Sequence, residues 1–141
     1  AEMNGLAAFI ETVKFLKKRN VIKHNWKYGA ELISNANEIS KNIGIQDFFK
    51  FSGIACSPIF NCLDNKRNNS LEFRTLFLQE MLKQNILMPW ISISYRHSDQ
   101  ELNKTLVALE KTLYIYKKAL KYGVKKFLKG HVIKQVFRQF N

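Results

Sequence analysis

Few side chains of this 141-residue chain have types and spacings that could support acid–base or metal chemistry. The histidines His24, His97 and His131 lie far apart in the sequence and form no cluster with the spacing of metal ligands. The sequence contains no glycine-rich phosphate loop, no nucleophile elbow and no helical zinc-protease motif. We therefore predict no catalytic residue and no metal site from the residues themselves.

The two cysteines, Cys56 and Cys62, point to structural thiols. Two cysteines are too few for a disulfide scaffold, and residues six apart do not have the spacing of zinc ligands. We expect both to be reduced thiols in a reducing, cytoplasmic environment.

His97 is the histidine whose position is most informative. It follows a predicted strand and directly precedes Ser98, which begins a predicted helix. A histidine in that place either faces a ligand or hydrogen-bonds the backbone of a turn, and the sequence leaves both alternatives open.

Residues 69–110 are predicted to form the unit that the rest of the chain covers. Asn69 with Glu72, and Ser98 with Glu101, have the spacing of a capping box, so each pair predicts the start of a helix. Between the two helices, residues 86–89 and 91–95 are short apolar or alternating runs, which predict two strands.

The remaining pattern predicts two helices, two strands and a C-terminal helix. The first helix spans about 4–19, because apolar residues recur there at helical spacing: Leu6, Phe9, Ile10, Val13 and Leu16. A second helix runs from about 22 to 43, where Gly44 can end it and Gly29 is tolerated at a modest cost.

Strands are predicted at 49–56 and 59–63, joined around Ser57-Pro58, and the last long helix is predicted to end near Gly123. A short helix at about 124–128 and an extended tail follow. The order indicates an α+β fold, with a small, mostly antiparallel sheet of three to four strands and helices packed on one face.

Two stretches within residues 69–110 resemble a known protein family. LEFRTLFLQEMLKQNILMP at 71–89 and ISYRHSDQELNKTL at 93–106 resemble the C-terminal segment of class III pyridoxal-phosphate aminotransferases. The most similar branch contains glutamate-1-semialdehyde 2,1-aminomutase and its aminotransferase relatives. Residues 5–12 resemble the helix that follows the cofactor-phosphate loop of that family, and 136–141 resemble its terminal residues.

The resemblance implies that the chain is a single domain, residues 1–141, from the C-terminal part of a larger enzyme. Its helical part, 1–45, would bridge to a large domain, and 46–141 would form the α+β small domain. The start at Ala1-Glu2-Met3-Asn4 fits the same expectation. In the family the Schiff-base lysine and the acid that holds the pyridine nitrogen belong to the large domain. The parent is therefore expected to use pyridoxal phosphate, whereas this chain alone is expected to bind no cofactor and to be inactive.

The resemblance also implies the substrate-side residues and the partners. The small domain would cover the substrate side of the cofactor cleft, with Trp90, Ser92 and His97 as substrate-side candidates. Ser92 stands where many relatives carry a carboxylate-binding arginine, so the resemblance does not imply the usual carboxylate clamp. Arg96 stands where a small residue usually precedes the family's histidine, the position of His97. Arg74 is expected to form a structural ion pair. Partners would be the large domain, a second subunit of a homodimer, and a small amino-acid or keto substrate.

The charge distribution allows a second function. The formal net charge is +12, and nine basic residues but no acid lie between Lys111 and Arg138. Such a segment is either a solvated helix face or a surface for nucleic acid or another acidic partner. The solvated helix face is the favoured alternative, because no nucleic-acid-binding motif accompanies the lysines. No apolar run approaches the roughly 20 residues that cross a bilayer, so we expect no membrane partner.

Overall fold

The structure is a computed structural model that describes residues 2–134. Its elements, in chain order, are α1 (Met3–Lys18), α2 (Val21–Ile43), β1 (Phe49–Ile54), β2 (Ser57–Cys62), α3 (Leu71–Lys83), α4 (Asp99–Tyr122) and a 3₁₀ turn (Val124–Lys126). The α+β class is confirmed, although the sheet of the described chain has two antiparallel strands rather than the predicted three to four.

The β1–β2 hairpin lies between the helices and provides much of the core. Phe51 pairs with Phe60 and Phe49 pairs with Cys62, so one face of the hairpin is aromatic and buried. Phe77 of α3 packs on that face, with ring centroids 4.9 Å from Phe49 and 4.7 Å from Phe60. Helix α4 closes the core with Leu109, Leu113 and Tyr116, all fully buried. The alternation that predicted the strands therefore reflects burial against helices on one side.

Side chains of α2 complete the hydrogen bonds of β1. The Asn37 amide group donates to the Phe51 carbonyl at 3.0 Å and accepts from the Phe51 N–H at 2.9 Å. Ser40 Oγ, which is buried, donates to the Phe49 carbonyl at 2.8 Å. These are the backbone groups that point away from β2, so α2 occupies the position of a third strand without being one.

The two strands predicted at 86–89 and 91–95 are wrong. This segment is irregular, with bends and a turn before α4. Its apolar residues Ile86, Ile91 and Ile93 pack against the helical core, which explains the alternating pattern. The outer edge of β1 is already hydrogen-bonded by the Asn37 side chain, so the segment cannot pair with β1 as a third strand. Asn85, with φ of 60°, turns the chain out of α3 and into this segment.

The local helix signals are mostly confirmed. Ser98 and Glu101 form the predicted capping box, and Gly44 ends α2 in a left-handed conformation. Lys117 Nζ donates to the Ile43 carbonyl at 2.6 Å and so stabilises the same helix end. The predicted cap of α3 is displaced by one residue, because Ser70 rather than Asn69 accepts the backbone N–H of Phe73. The helix predicted at 124–128 is a three-residue 3₁₀ turn.

Among residues 2–134, no helix combines the length and the apolar composition that crossing a membrane requires.

Both cysteines are free thiols, as expected. Burial raises the pKa of Cys62 to about 12, and the nearby Arg74 opposes that effect. Cys62 is therefore a neutral core residue at physiological pH.

Gly29 is a packing requirement, which its sequence position did not reveal. A Cβ atom placed on Gly29 would lie 1.6 Å from the carbonyl oxygen of Ala55, in the turn between β1 and β2. The turn can approach α2 only because this residue has no side chain. Gly5 of α1, in contrast, has open space around it.

We predict that Gly29→Ala lowers the free energy of unfolding by at least about 2 kcal/mol, because the turn must move away from α2. Gly5→Ala is the matched control. We expect it to raise the free energy of unfolding by about 0.5–1 kcal/mol, because alanine has a higher helix propensity than glycine. Urea denaturation followed by circular dichroism measures both values. Equal stability of the two variants would contradict the close approach.

Candidate functional site

The three substrate-side candidates line one cavity of about 280 Å³. Trp90, Ser92 and His97 reach it from the segment between α3 and α4, while Tyr28 and Leu32 of α2 form the opposite wall. Three α4 residues complete the lining, namely Glu101, Lys104 and Thr105. All three residues that the resemblance implied therefore line the same cavity.

Polar contacts hold the segment that carries these residues. Arg74 of α3 donates from Nη2 to the Pro89 carbonyl at 2.8 Å, just before Trp90. His24 Nε2 lies 2.9 Å from the His97 carbonyl, at the other end of the segment. The segment is therefore anchored to α3 and to α2 although it has no regular secondary structure.

His97 is both a turn residue and a cavity residue. Its Nδ1 accepts the backbone N–H of Ser94 at 3.3 Å, which is the turn contact that the sequence left open. In the neutral ring this contact places the proton on Nε2. The ring also packs on Tyr28, with centroids 5.5 Å apart, so its orientation is fixed from two sides.

An aromatic cluster continues from the cavity to α1. Tyr95 contacts His24 edge-to-face at 5.2 Å and Phe15 of α1 at 5.8 Å. Tyr28, next to His24, is buried, and its pKa is raised by that burial and then by the negative charges of Glu101 and Asp99. Tyr28 therefore presents a neutral phenol to the cavity.

Glu101 contributes a charge that is held in place. Its Oε2 accepts the Ser98 N–H at 2.7 Å and the Ser98 hydroxyl at 2.5 Å. These hydrogen bonds, the hydroxyl first, lower the pKa of Glu101. Lys104, one helical turn further along α4, is exposed at the same rim. The rim thus has one negative charge that two hydrogen bonds hold in place and one exposed positive charge.

Trp90 and Ser92 are open to solvent. Trp90 is 71% exposed, so it is not a core residue of this chain. A single exposed apolar side chain is common on domain surfaces, so the exposure of Trp90 by itself identifies no partner. Trp90 lies at the rim of the cavity, where its ring is accessible.

The residues of the described chain do not fit an internal Schiff base with pyridoxal phosphate. An imine-forming lysine is one that is withdrawn from water or placed beside another cation. Every lysine from Lys14 to Lys134 is exposed, including Lys104 at the cavity. No group of three potential metal ligands occurs within residues 2–134 either. Within residues 2–134 the cavity therefore contains no lysine suited to that imine.

Sequence reasoning missed part of the cavity wall. Tyr28 lies more than sixty positions before Trp90, and nothing in its local sequence indicates the contact. Lys104 could have been found, because it lies three residues after the capping Glu101 on the same helix. Arg74 was expected to form an ion pair; instead its guanidinium lies over the Phe60 ring, 4.7 Å from the centroid.

Helix α1 provides a second surface of functional interest. It has the predicted apolar stripe, yet none of its 16 residues is buried. Phe9 is 65% exposed, Leu6 52% and Ile10 47%, whereas Val13 and Leu16 nearer the α2 junction are half-buried. The N-terminal half of α1 therefore displays an apolar face that residues 2–134 leave uncovered.

Comparisons with known proteins identify no relative. No family model matches the chain, and no match was found among curated proteins or solved structures. The resemblance to class III aminotransferases therefore stays a prediction, and the function has to be inferred from the cavity and from α1.

We predict that Glu101 makes folding sensitive to acid. Because its folded-state pKa lies below the ordinary value of 4.5, its contribution to stability is complete above about pH 4.5 and is lost as the pH falls through the lowered value. Glu101→Gln keeps a capping side chain but removes the titration. Acid unfolding of this variant should depend less steeply on pH than that of the original chain.

The matched control is Glu110→Gln, because Glu110 is exposed on the same helix and makes none of the ion pairs found within residues 2–134. Its acid unfolding should follow that of the original chain. If both variants changed the pH dependence equally, the capping box would not be the cause.

Proposed function

We propose that this chain is the small domain of a pyridoxal-phosphate-dependent class III aminotransferase or 2,1-aminomutase. In this proposal it covers the substrate side of the cofactor cleft and is inactive without a large domain. The enzyme acts in the cytoplasm as a homodimer on a small amino-acid or keto substrate. Pyridoxal phosphate, bound by the large domain, supplies the electron sink for the transfer of the amino group.

The observation that carries the proposal is the uncovered apolar face of α1. An isolated helix of 16 residues is marginally stable in water, and most helical stability in proteins comes from burying an apolar face. Full burial of a Leu, Ile, Phe or Met side chain is worth about 1.5–3 kcal/mol. A helix with this composition is therefore expected to have a covering surface, and a large domain joined to it is such a surface.

The cavity supports the same assignment from a second side. Trp90, Ser92 and His97 lie on a segment that is anchored by Arg74 and His24 and is open to solvent at Trp90. Side chains fixed on a rigid scaffold but facing outward suit the wall of a cleft that another domain completes. In that cleft they would orient a substrate and exclude water.

A spectroscopic experiment tests the proposal directly. We expect the 141-residue chain mixed with pyridoxal phosphate to show no stoichiometric imine absorbance, and borohydride to attach no cofactor at a single lysine. A longer polypeptide that also contains the region encoded upstream should be yellow and should exchange amino groups with a donor. Stoichiometric turnover by the chain alone would refute the proposal.

A pair of variants tests the role of α1. Phe9→Asp should change the stability of the chain alone by no more than about 0.5 kcal/mol, because Phe9 is already exposed. In the longer polypeptide the same change should weaken domain contact and reduce both cofactor retention and turnover, since a charge would be buried.

Asn4→Asp is the matched control, because it makes the same change in charge on the side of α1 away from Phe9. We expect it to leave cofactor retention and turnover unchanged. Equal effects of the two variants would show that charge alone, rather than an apolar contact at Phe9, is responsible.

The second candidate is a free-standing basic module that binds nucleic acid or another acidic partner. One observation favours it: the lysines from Lys104 to Lys134 are exposed, and none takes part in the ion pairs found within residues 2–134. Binding of duplex DNA by this chain, with an affinity that falls steeply as salt rises, would favour the second function.

A further inference from the structure

Arg74 is a half-buried cation without an acidic partner in the described chain. Its guanidinium lies over the Phe60 ring at 4.7 Å, and its Nη2 donates to the Pro89 carbonyl at 2.8 Å. The ion pairs found within residues 2–134 do not include it. Arginine has further N–H donors in the same plane, and charges removed from water are usually paired.

Arg74 lines a cavity of about 450 Å³ between β2, α3 and the C-terminal end of the described chain. Asn61 and Asn69 also line it, and Lys134 adds a second basic residue. Within residues 2–134, no acidic residue belongs to this lining. Glu72, the acid nearest to Arg74 in sequence, lines a neighbouring cavity and is hydrogen-bonded by Ser70.

This combination has a distinct chemical preference. A guanidinium that rests on an aromatic face keeps the edges of its plane free for hydrogen bonds. Those edges match the two oxygens of a carboxylate or of a phosphate group, and they bind both through paired, charge-assisted hydrogen bonds. The amide groups of Asn61 and Asn69 can donate to the same oxygens.

We propose that this cavity is a binding site for an oxyanion, a carboxylate or phosphate group, with Arg74 as its principal ligand. The lining of this site shares no residue with the cavity of Trp90, Ser92 and His97, and the proposal does not depend on the aminotransferase assignment. The oxyanion is either the planar carboxylate of a small metabolite or a tetrahedral phosphate group, and this difference in shape allows the two to be distinguished.

Titration of the isotope-labelled chain, followed by nuclear magnetic resonance, tests the site. The probes are sodium malonate and inorganic phosphate, added at constant ionic strength against chloride. We expect saturable shifts of the side-chain amides of Asn61 and Asn69 and of the Arg74 Nε–H. Tighter binding of malonate than of phosphate identifies a carboxylate site, and tighter binding of phosphate identifies a phosphate site.

Three variants make the test specific. Arg74→Met should weaken binding by about tenfold or more, which is the scale of a charge-assisted hydrogen bond. Arg74→Lys keeps the charge but loses the planar fork, so its affinity should lie between those of Arg74→Met and the original chain. Arg96→Met, at an exposed turn residue outside this lining, should leave binding within about twofold.

Two results would overturn the proposal. The first is the absence of saturable shifts, or shifts confined to the lysines of α4, which would mean nonspecific attraction to a basic surface. The second is unchanged affinity in Arg74→Lys. Because Arg74 also holds Pro89, the thermal unfolding of each variant is measured first, and if Arg74→Met does not fold, Arg74→Lys decides the outcome.

Discussion

The structure depends on the hydrogen bonds made by the backbone groups of β1 that face away from β2. A hairpin of two strands is marginal in water by itself, and an open edge invites pairing with another chain. Here the edge is closed by the Asn37 amide, which bonds both backbone groups of Phe51, and by Ser40, which bonds the Phe49 carbonyl. Each such bond contributes about 0.5–1.5 kcal/mol, and an unpaired buried group costs about 1–3 kcal/mol. The side chains of a helix thus replace a third strand.

Further contacts follow from that arrangement. With α2 fixed along β1, the turn at Ala55 has to pass close to α2, and only a glycine at position 29 leaves room for it. At the other end of the hairpin, the buried Tyr116 hydroxyl donates to the Leu63 carbonyl at 2.6 Å, with the Phe48 carbonyl 3.2 Å away. Helix α4 is thereby fixed to the hairpin, and its N-terminal turn contributes Glu101 to the candidate site.

The same arrangement explains which features the sequence could predict. Ser98 with Glu101, and Gly44, are local signals, and helix ends obey local rules. The strands predicted at 86–95 failed because an alternating apolar pattern reports burial on one side, and the pattern cannot distinguish a neighbouring strand from helices. The closing of the β1 edge by Asn37 is a contact across 14 residues, and no local pattern encodes it.

The sequence singled out three residues that line the cavity, but it did not reveal the cavity's walls or shape. Trp90, Ser92 and His97 were chosen through a family resemblance, and the structure shows that they share a cavity. The wall contributed by Tyr28 and the role of Arg74 depend on packing between distant segments. The apolar stripe of α1 was correctly predicted as a helix face, but a pattern of apolar residues cannot show whether the covering surface belongs to the same chain.

The two surfaces of functional interest are physically joined through Tyr95. Its ring contacts Phe15 of α1 on one side and His24 of α2 on the other, and His24 in turn lies against the His97 carbonyl. A surface that covered α1 would therefore lie one aromatic contact away from the residues that support the turn carrying His97. The cavity itself is walled by α2, α4 and the segment between α3 and α4 rather than by α1. Whether covering α1 matters for the cavity thus depends on this one chain of contacts, from Phe15 through Tyr95 and His24.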